Sequence, residues 1–371
     1  MNQSAKDQLD RLLGYLAADP DNPTLLIDAI EAAFDANALD QAEHLSARLS
    51  GIRPGSFEAG YHAAKLAMMR RDFASAAALL DPLVSAGAPP NARFNLAWSK
   101  AMIGDKVTAL ALLDSETIGQ IADAAMLRTQ LLHEAGDFEA ALACGQAALE
   151  SHPGDPGLNA AVATLALDLQ DLGLARACSA RGGDHPEALA AAGMLEMHDG
   201  DPAGARISFD RAIAVRQHNP RAWIGRGLAK LSEHDHAGAA ADLDRGAQQF
   251  SDHIGSWIAA GWAHYLSGDL EAALQRFEKA MKIDPNFAQS HGSLAVVQAA
   301  GGQIAEARRS MEIAFRLDRQ CFSAVLAKIM LDVDDPAVAK TLVARAFDTP
   351  LNESGMTVAT YVTGLTRPTL H

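Results

Sequence analysis

Apolar residues along this chain recur at three- and four-residue intervals, the spacing of one face of an α-helix. These runs are cut at regular places by Gly-Asp or Asp-Pro. The stretch from Ile254 shows the pattern. Trp257, Trp262 and Tyr265 fall on a first helix, and Gly268-Asp269 stops it. Glycine supplies a left-handed C-terminal residue there and aspartate the next N-cap. Ala273, Phe277 and Ala280 mark a second helix that ends before Asp284-Pro285. Proline cannot continue a helix interior and pushes the preceding residue out of the α region. Two antiparallel helices joined by a tight turn are predicted.

That hairpin repeats. Trp223 and Trp257 stand 34 residues apart, and so do Gly227 and Gly261. The same offset relates Ala205, Ala239, Ala273 and Ala307, then Phe209, Leu243, Phe277 and Met311, then Ala212, Gly246, Ala280 and Ala314. Four consecutive units without a one-residue slip are an internal repeat, not an accident of composition. One such hairpin cannot bury its apolar stripe alone, so it must stack on its neighbours. The small positions are read as contact points. Gly261 is expected to face Ala273, where a larger side chain would force the hairpin apart.

These residues resemble the tetratricopeptide repeat (TPR) family, whose repeat is 34 residues long. Unit 254–287 fills the family's large fourth position with Trp257 and its small eighth with Gly261. Ala273, Phe277, Ala280 and Pro285 occupy the later signature positions. The resemblance implies an all-α right-handed TPR superhelical solenoid of about ten helix-turn-helix units. Carried outward, the frame gives an N-terminal capping helix in 1–22 and an array over 23–350. Its units lie near 23–56, 57–89, 90–121, 122–155, 156–185, 186–219, 220–253, 254–287, 288–321 and 322–350. Arg181-Gly182-Gly183-Asp184 is expected to truncate the second helix of 156–185, and Asp334-Asp335-Pro336 to form the last turn. Residues 351–371 are read as a C-terminal tail. No low-complexity linker interrupts the array, so one continuous solenoid is expected.

Composition agrees with a helical reading. Alanine makes up about a fifth of the 371 residues, and it is the best helix former and a poor strand former. With only 5% aromatics, the core must come from close helix contacts. A net charge of −15 argues against non-specific nucleic-acid binding and against docking on an anionic membrane. The amino terminus shows no apolar h-region, and no run approaches the length of a membrane-spanning helix. Cys144, Cys178 and Cys321 are odd in number and far apart, and read as free thiols. A cytoplasmic location is expected.

Catalytic patterns are missing: no Gly-x-Ser-x-Gly elbow, no phosphate-binding glycine loop, no His-Glu-x-x-His. His133-Glu134 lacks the second histidine. Ile224-Gly225-Arg226-Gly227 falls at repeat positions inside a first helix and reads as packing. His234-Asp235-His236 reads as a solvated turn, with a metal site as the minor alternative. Asp332-Val333-Asp334-Asp335 lacks the glycine and distal glutamate of a calcium loop. No enzyme activity, cofactor or metal is expected.

What remains is the concave surface that the resemblance implies, lined by first-helix residues. On this frame the partner-binding candidates are Tyr61, Met68, Phe94, Trp98, Met102, Met126, Met194, Met197, His198, Leu228, Trp262 and Tyr265. Thioethers and broad rings suit a groove for apolar side chains; the competing reading buries them between adjacent first helices. The family's carboxylate clamp is matched only in part, by Lys65, Arg93 and Asn95, and its asparagine ladder only by Asn95. A non-catalytic adaptor or scaffold for a peptide, helix or protein surface is therefore expected. Its partner should carry apolar anchors and net positive charge. The alternatives are an accessory subunit presenting substrate to a separate enzyme, and a self-assembling structural protein.

Overall fold

A computed structural model describes residues 3–332. Among these described residues the chain forms twenty-one α-helices and no strand. The turn expected at Asp334-Asp335-Pro336 and the tail at 351–371 lie outside them. The chain divides into two compact units, 1–153 and 154–371.

In the first unit α1 (Gln3–Ala18) packs on α2 (Pro23–Asp35), which pairs with α3 (Leu39–Ile52). The pair α4 (Phe57–Met69) and α5 (Phe73–Ser85) follows, and then α6 (Pro90–Met102) with α7 (Lys106–Leu112) and α8 (Ser115–Gln120). The pair α9 (Ala122–Glu134) and α10 (Phe138–Ser151) ends the unit. Its interior is aliphatic, with Leu26, Ile30, Leu45, Leu49, Leu80 and Leu96 fully buried.

The second unit pairs α11 (Pro156–Asp168) with α12 (Leu172–Gly182), α13 (Pro186–His198) with α14 (Pro202–Val215), and α15 (Pro220–Ser232) with α16 (His236–Phe250). It continues with α17 (Ile254–Ser267) and α18 (Leu270–Ile283), then α19 (Ala288–Ala300) and α20 (Ile304–Leu317), and α21 (Phe322–Asp332) stands last. Within it each paired first helix packs on its own second helix, and α11 also packs on α13, α13 on α15, α17 on α19 and α19 on α21. The shortened α12 ends at Gly183, whose φ is +55°. A Cβ on Gly182 would lie 2.5 Å from that of Ala188, so α12 meets α13 at closest approach.

One turn recurs through both units. A residue with positive φ ends the first helix at Arg71, Gly104, Gly136, Gln170, Gly200, His234 and Gly268. The aspartate after each of them, Asp72, Asp105, Asp137, Asp171, Asp201, Asp235 and Asp269, caps the second helix by accepting the backbone N–H three residues on. The carboxylate satisfies an orphan donor and complements the positive helix end, so the turn reads the same way each time.

The third hairpin departs from the frame. Its second helix breaks after Leu112, and Asp114 caps a new helix by accepting the Thr117 N–H at 2.8 Å. Two arginines hold the break. Arg128 donates to the carbonyls of Leu110 and Leu113, which the ended helix leaves free, and Arg93 bridges Asp114 and Glu116.

The small repeat positions work differently from the sequence expectation. A Cβ on Gly261 would lie 2.5 Å from the Phe277 ring, which is the nearest neighbour in place of Ala273. In the same way Gly227 lies under Leu243, at 2.6 Å, and Gly193 lies under Phe209, also at 2.6 Å. Gly225 of the next first helix also lies against the Phe209 ring. In these three hairpins a large second-helix side chain thus sits on a bare stretch of first-helix backbone. Ala205, Ala239, Ala273 and Ala307 are fully buried beside these contacts.

Gly261→Ala should therefore destabilise the protein by about 1–3 kcal/mol through overpacking. Gly14→Ala, at an exposed helical site with nothing within 4 Å of the added carbon, should stabilise it by about 0.5–1 kcal/mol. Chemical denaturation of both variants checks this, and equal shifts of the same sign would refute the contact.

Candidate functional site

The first-helix candidates of the first unit form a ringed, half-buried surface. On α4, Tyr61 and Met68 are half-buried, and Phe57 stacks on Tyr61 with ring centroids 5.3 Å apart. Asn95 on α6 donates its amide N–H to the Tyr61 hydroxyl at 3.0 Å. Phe94 and Trp98 meet edge-on at 6.2 Å, with Trp98 half-buried one turn after Phe94. Met102, at the end of the same helix, is 49% exposed. Met126 is half-buried on α9.

Behind this surface lies a charged cluster. Glu31 on α2 accepts from the Lys65 ammonium and lies 3.3 Å from Nδ1 of the buried His62. Lys65 also sits 4.8 Å above the Phe34 ring. The hydrogen bond from His62, aided by Lys65, holds the Glu31 carboxyl down at about 2 against the opposing effect of burial. The three residues that match part of a carboxylate clamp are all engaged internally: Lys65 by Glu31, Asn95 by Tyr61, and Arg93 by Asp114 and Glu116.

In the second unit a cleft of about 60 Å³ opens among α11, α13 and α15. Leu167, Ala190, Ala191, Met194, Ile224 and Phe250 supply apolar lining, and Asp168, Glu187, His198 and Arg221 supply polar groups. Arg221 lies 3.7 Å from the largely buried Asp168 carboxylate, so an ion pair joins α11 to α15 past the intervening α13. Glu187 pairs with Arg216. Burial, helped by the charge of Arg216, pushes His185 below its ordinary value. Two of the sequence candidates, Met194 and His198, line this cleft.

Others do not reach a surface. Leu228, Trp262 and Tyr265 are buried, at 3%, 2% and 7% exposure. Trp262 packs edge-on against Tyr265 at 5.6 Å and Phe277 at 5.5 Å, closing an aromatic cluster over the Gly261 contact. Burial pushes the Tyr265 phenol up to about 12. As partner-binding residues these three are corrected to interior ones, because inter-helix packing covers them. Met197 is half-buried between two core clusters.

The remaining sequence motifs resolve into structure. Asp235 caps α16, which accounts for its carboxylate between His234 and His236, and no group of three metal-ligating side chains occurs among the described residues. Gly225 and Gly227 are packing positions, while Arg226 grips Asp242 through two nitrogens at 2.7 Å and lies 4.6 Å from the Trp223 ring. Burial raises the Cys321 thiol to about 11, so it stays protonated. The lining residues that the sequence candidates omitted are informative. Glu187, Ala190, Arg221 and Ile224 occupy inner positions of the frame but are neither methionine nor aromatic, whereas Phe250 ends a second helix and carries no inner-face signal.

Helical hairpins joined by a repeated capped turn define an all-α helical-repeat protein. Tetratricopeptide repeats are matched at residues 190–254 and at 264–329. Those two segments are tetratricopeptide repeats, and the fold is an all-α TPR solenoid. A chain in the crystal structure of the APC/C hetero-tetramer Cut9-Hcn1 has a similar fold, with a TM-score of 0.60 at 13% identity. The match covers 88% of this chain and 66% of that one, just short of two thirds of its length. A tetratricopeptide repeat protein from Parabacteroides merdae ATCC 43184 shares 15% identity, with a TM-score of 0.42 over 65% of this chain and 97% of that one. No curated protein matches the sequence. No helix among the described residues is long and apolar enough to cross a membrane.

The Glu31 cluster has a pH signature. Its folded value near 2 lies below the ordinary 4.5, so its stabilisation is complete above 4.5 and drains away as pH falls toward 2. Urea midpoints measured across that window should fall more steeply for the parent protein than for Glu31→Gln. Parallel curves would show that the carboxylate contributes nothing.

Proposed function

We propose that this chain is a non-catalytic adaptor or scaffold that holds a peptide, helix or protein surface against the first-helix side chains of its hairpins. The observation that carries the reading is the cleft of the second unit. It is lined by α11, α13 and α15 at inner positions of the repeat, and it combines an apolar lining with a few polar groups, the make-up of a recognition pocket. The exposed Met102 and the half-buried Phe94, Trp98, Tyr61 and Met68 extend the same chemistry to the first unit. Such side chains are adaptable and rich in contact area. With a net charge of −15, the favoured partner joins apolar anchors to a positive surplus. Charge then governs the encounter rate and apolar burial the dwell time.

An array of dodecapeptides probed with the full chain tests this. Met102→Glu and His198→Glu, at exposed first-helix sites, should each weaken the bound set by about 1–2 kcal/mol. Ile207→Glu, on the second helix α14 at 62% exposure, should leave it unchanged. Loss confined to Ile207→Glu would move the interaction to the second-helix face.

A further inference from the structure

We infer that the cleft among α11, α13 and α15 is a socket for one aliphatic side chain of leucine or methionine size, presented by the partner segment. This deepens the scaffold reading above and rests on it. The size of the cleft sets the first limit. Its 60 Å³ holds roughly four water-sized groups. A leucine, isoleucine or methionine side chain has that bulk. An alanine or serine leaves most of the space open, and a phenylalanine ring overfills it.

The lining sets the chemistry through what is already committed. Leu167, Ala191, Met194, Ile224 and Phe250 form an apolar wall, and Asp168, Glu187 and Arg221 stand beside it. Each of these charges has its counter-ion. The largely buried Asp168 faces Arg221 at 3.7 Å, and Glu187 takes Arg216 from outside the lining. The amide N–H of Gln170, also in the lining, donates to the Leu167 carbonyl at 3.2 Å. His198 is exposed, so its ring is solvated. Two carboxylates and two guanidiniums cancel, and the surface left to an occupant is apolar. The Met194 thioether can adjust to the shape that enters.

Three kinds of occupant can be compared. A lysine or arginine leaves water for carboxylates that are already paired, and it meets Arg221 as a like charge. A glutamate meets Asp168 and Glu187 in the same way. Either one regains a partner only by breaking an internal ion pair, which leaves another charge alone. An aliphatic side chain removes water from the apolar wall and leaves both pairs in place. Charge complementarity thus selects a neutral occupant, and volume selects its size. The basic residues of the partner then lie outside the socket.

Dodecapeptide mixtures test this. One central residue is fixed as leucine, methionine, serine, lysine or glutamate. The other positions carry equimolar alanine, lysine, phenylalanine and serine, so none of them supplies an anchor of socket size. Binding to the full chain is read by fluorescence anisotropy. The leucine and methionine mixtures should bind at least about tenfold more tightly than the other three, the scale of one good anchor. Ala191→Leu and Thr164→Leu each fill the cleft from a lining position and should remove that preference. Arg216→Gln should uncover the Glu187 carboxylate and tighten the lysine mixture by about two- to fivefold, the scale of one partly exposed ion pair. Thermal melts of each variant confirm that it is folded.

A serine, lysine or glutamate preference in the parent protein overturns the socket. So does a leucine preference that survives both filled variants, or an Arg216→Gln variant whose lysine binding is unchanged. If the mixtures bind alike and Met102→Glu weakens them all, the scaffold reading stands and the socket alone falls. If none of the mixtures binds, both fall.

Discussion

The contact between a large second-helix side chain and a first-helix glycine is the constraint on which the second unit depends. Phe209, Leu243 and Phe277 each press on a position where any Cβ would collide, at Gly193, Gly227 and Gly261. Removing the Cβ lets two helices approach until the ring or leucine fills the space between backbones. A chain so poor in aromatics can build a dense interior this way, because each ring is used at its point of greatest contact. Packing at that density leaves little slack, which is why one methylene matters at these sites. The alanines beside them, 0% exposed at positions 205, 239 and 273, serve the same closeness.

The hairpin turn is the second constraint, and it is electrostatic as well as steric. A left-handed residue ends the first helix and an aspartate starts the second, seven times among the described residues. Where glycine is replaced by Arg71, Gln170 or His234, the positive φ persists, so the flanking helices override the local cost of a side chain there. His234 is instructive. Its neighbouring carboxylate caps a helix, and a triplet that suggests metal chemistry is a turn.

The same packing that builds the fold decides which inner residues stay available. Where a second-helix ring sits on a first-helix glycine, as Phe277 does on Gly261, the large side chains beside it, Trp262 and Tyr265, are swallowed. On α13, Ala190, Ala191 and Met194 share their cleft with charged residues from α11 and α15, and a space remains. A cleft stays open where a first helix presents small residues between larger neighbours.

The repeat, the helix boundaries and the turn chemistry were legible in the sequence, because each rests on local physics: helical periodicity, glycine's access to positive φ, and the capping power of aspartate. The 34-residue offset located the large and small partners of the core, although it paired Gly261 with Ala273 where the structure sets it under Phe277. The fate of the inner-face residues was decided only by tertiary structure. Met102 and Trp262 have equal standing in the repeat frame, yet one is 49% exposed and the other 2%. The break in the third hairpin likewise depends on Arg93 and Arg128, which reach it from other helices. The cleft needs Asp168 and Arg221, 53 residues apart, to meet. Side-chain exposure and ion pairing between distant helices depend on how closely neighbouring hairpins approach, and a one-dimensional pattern carries the period of that approach but not its distance.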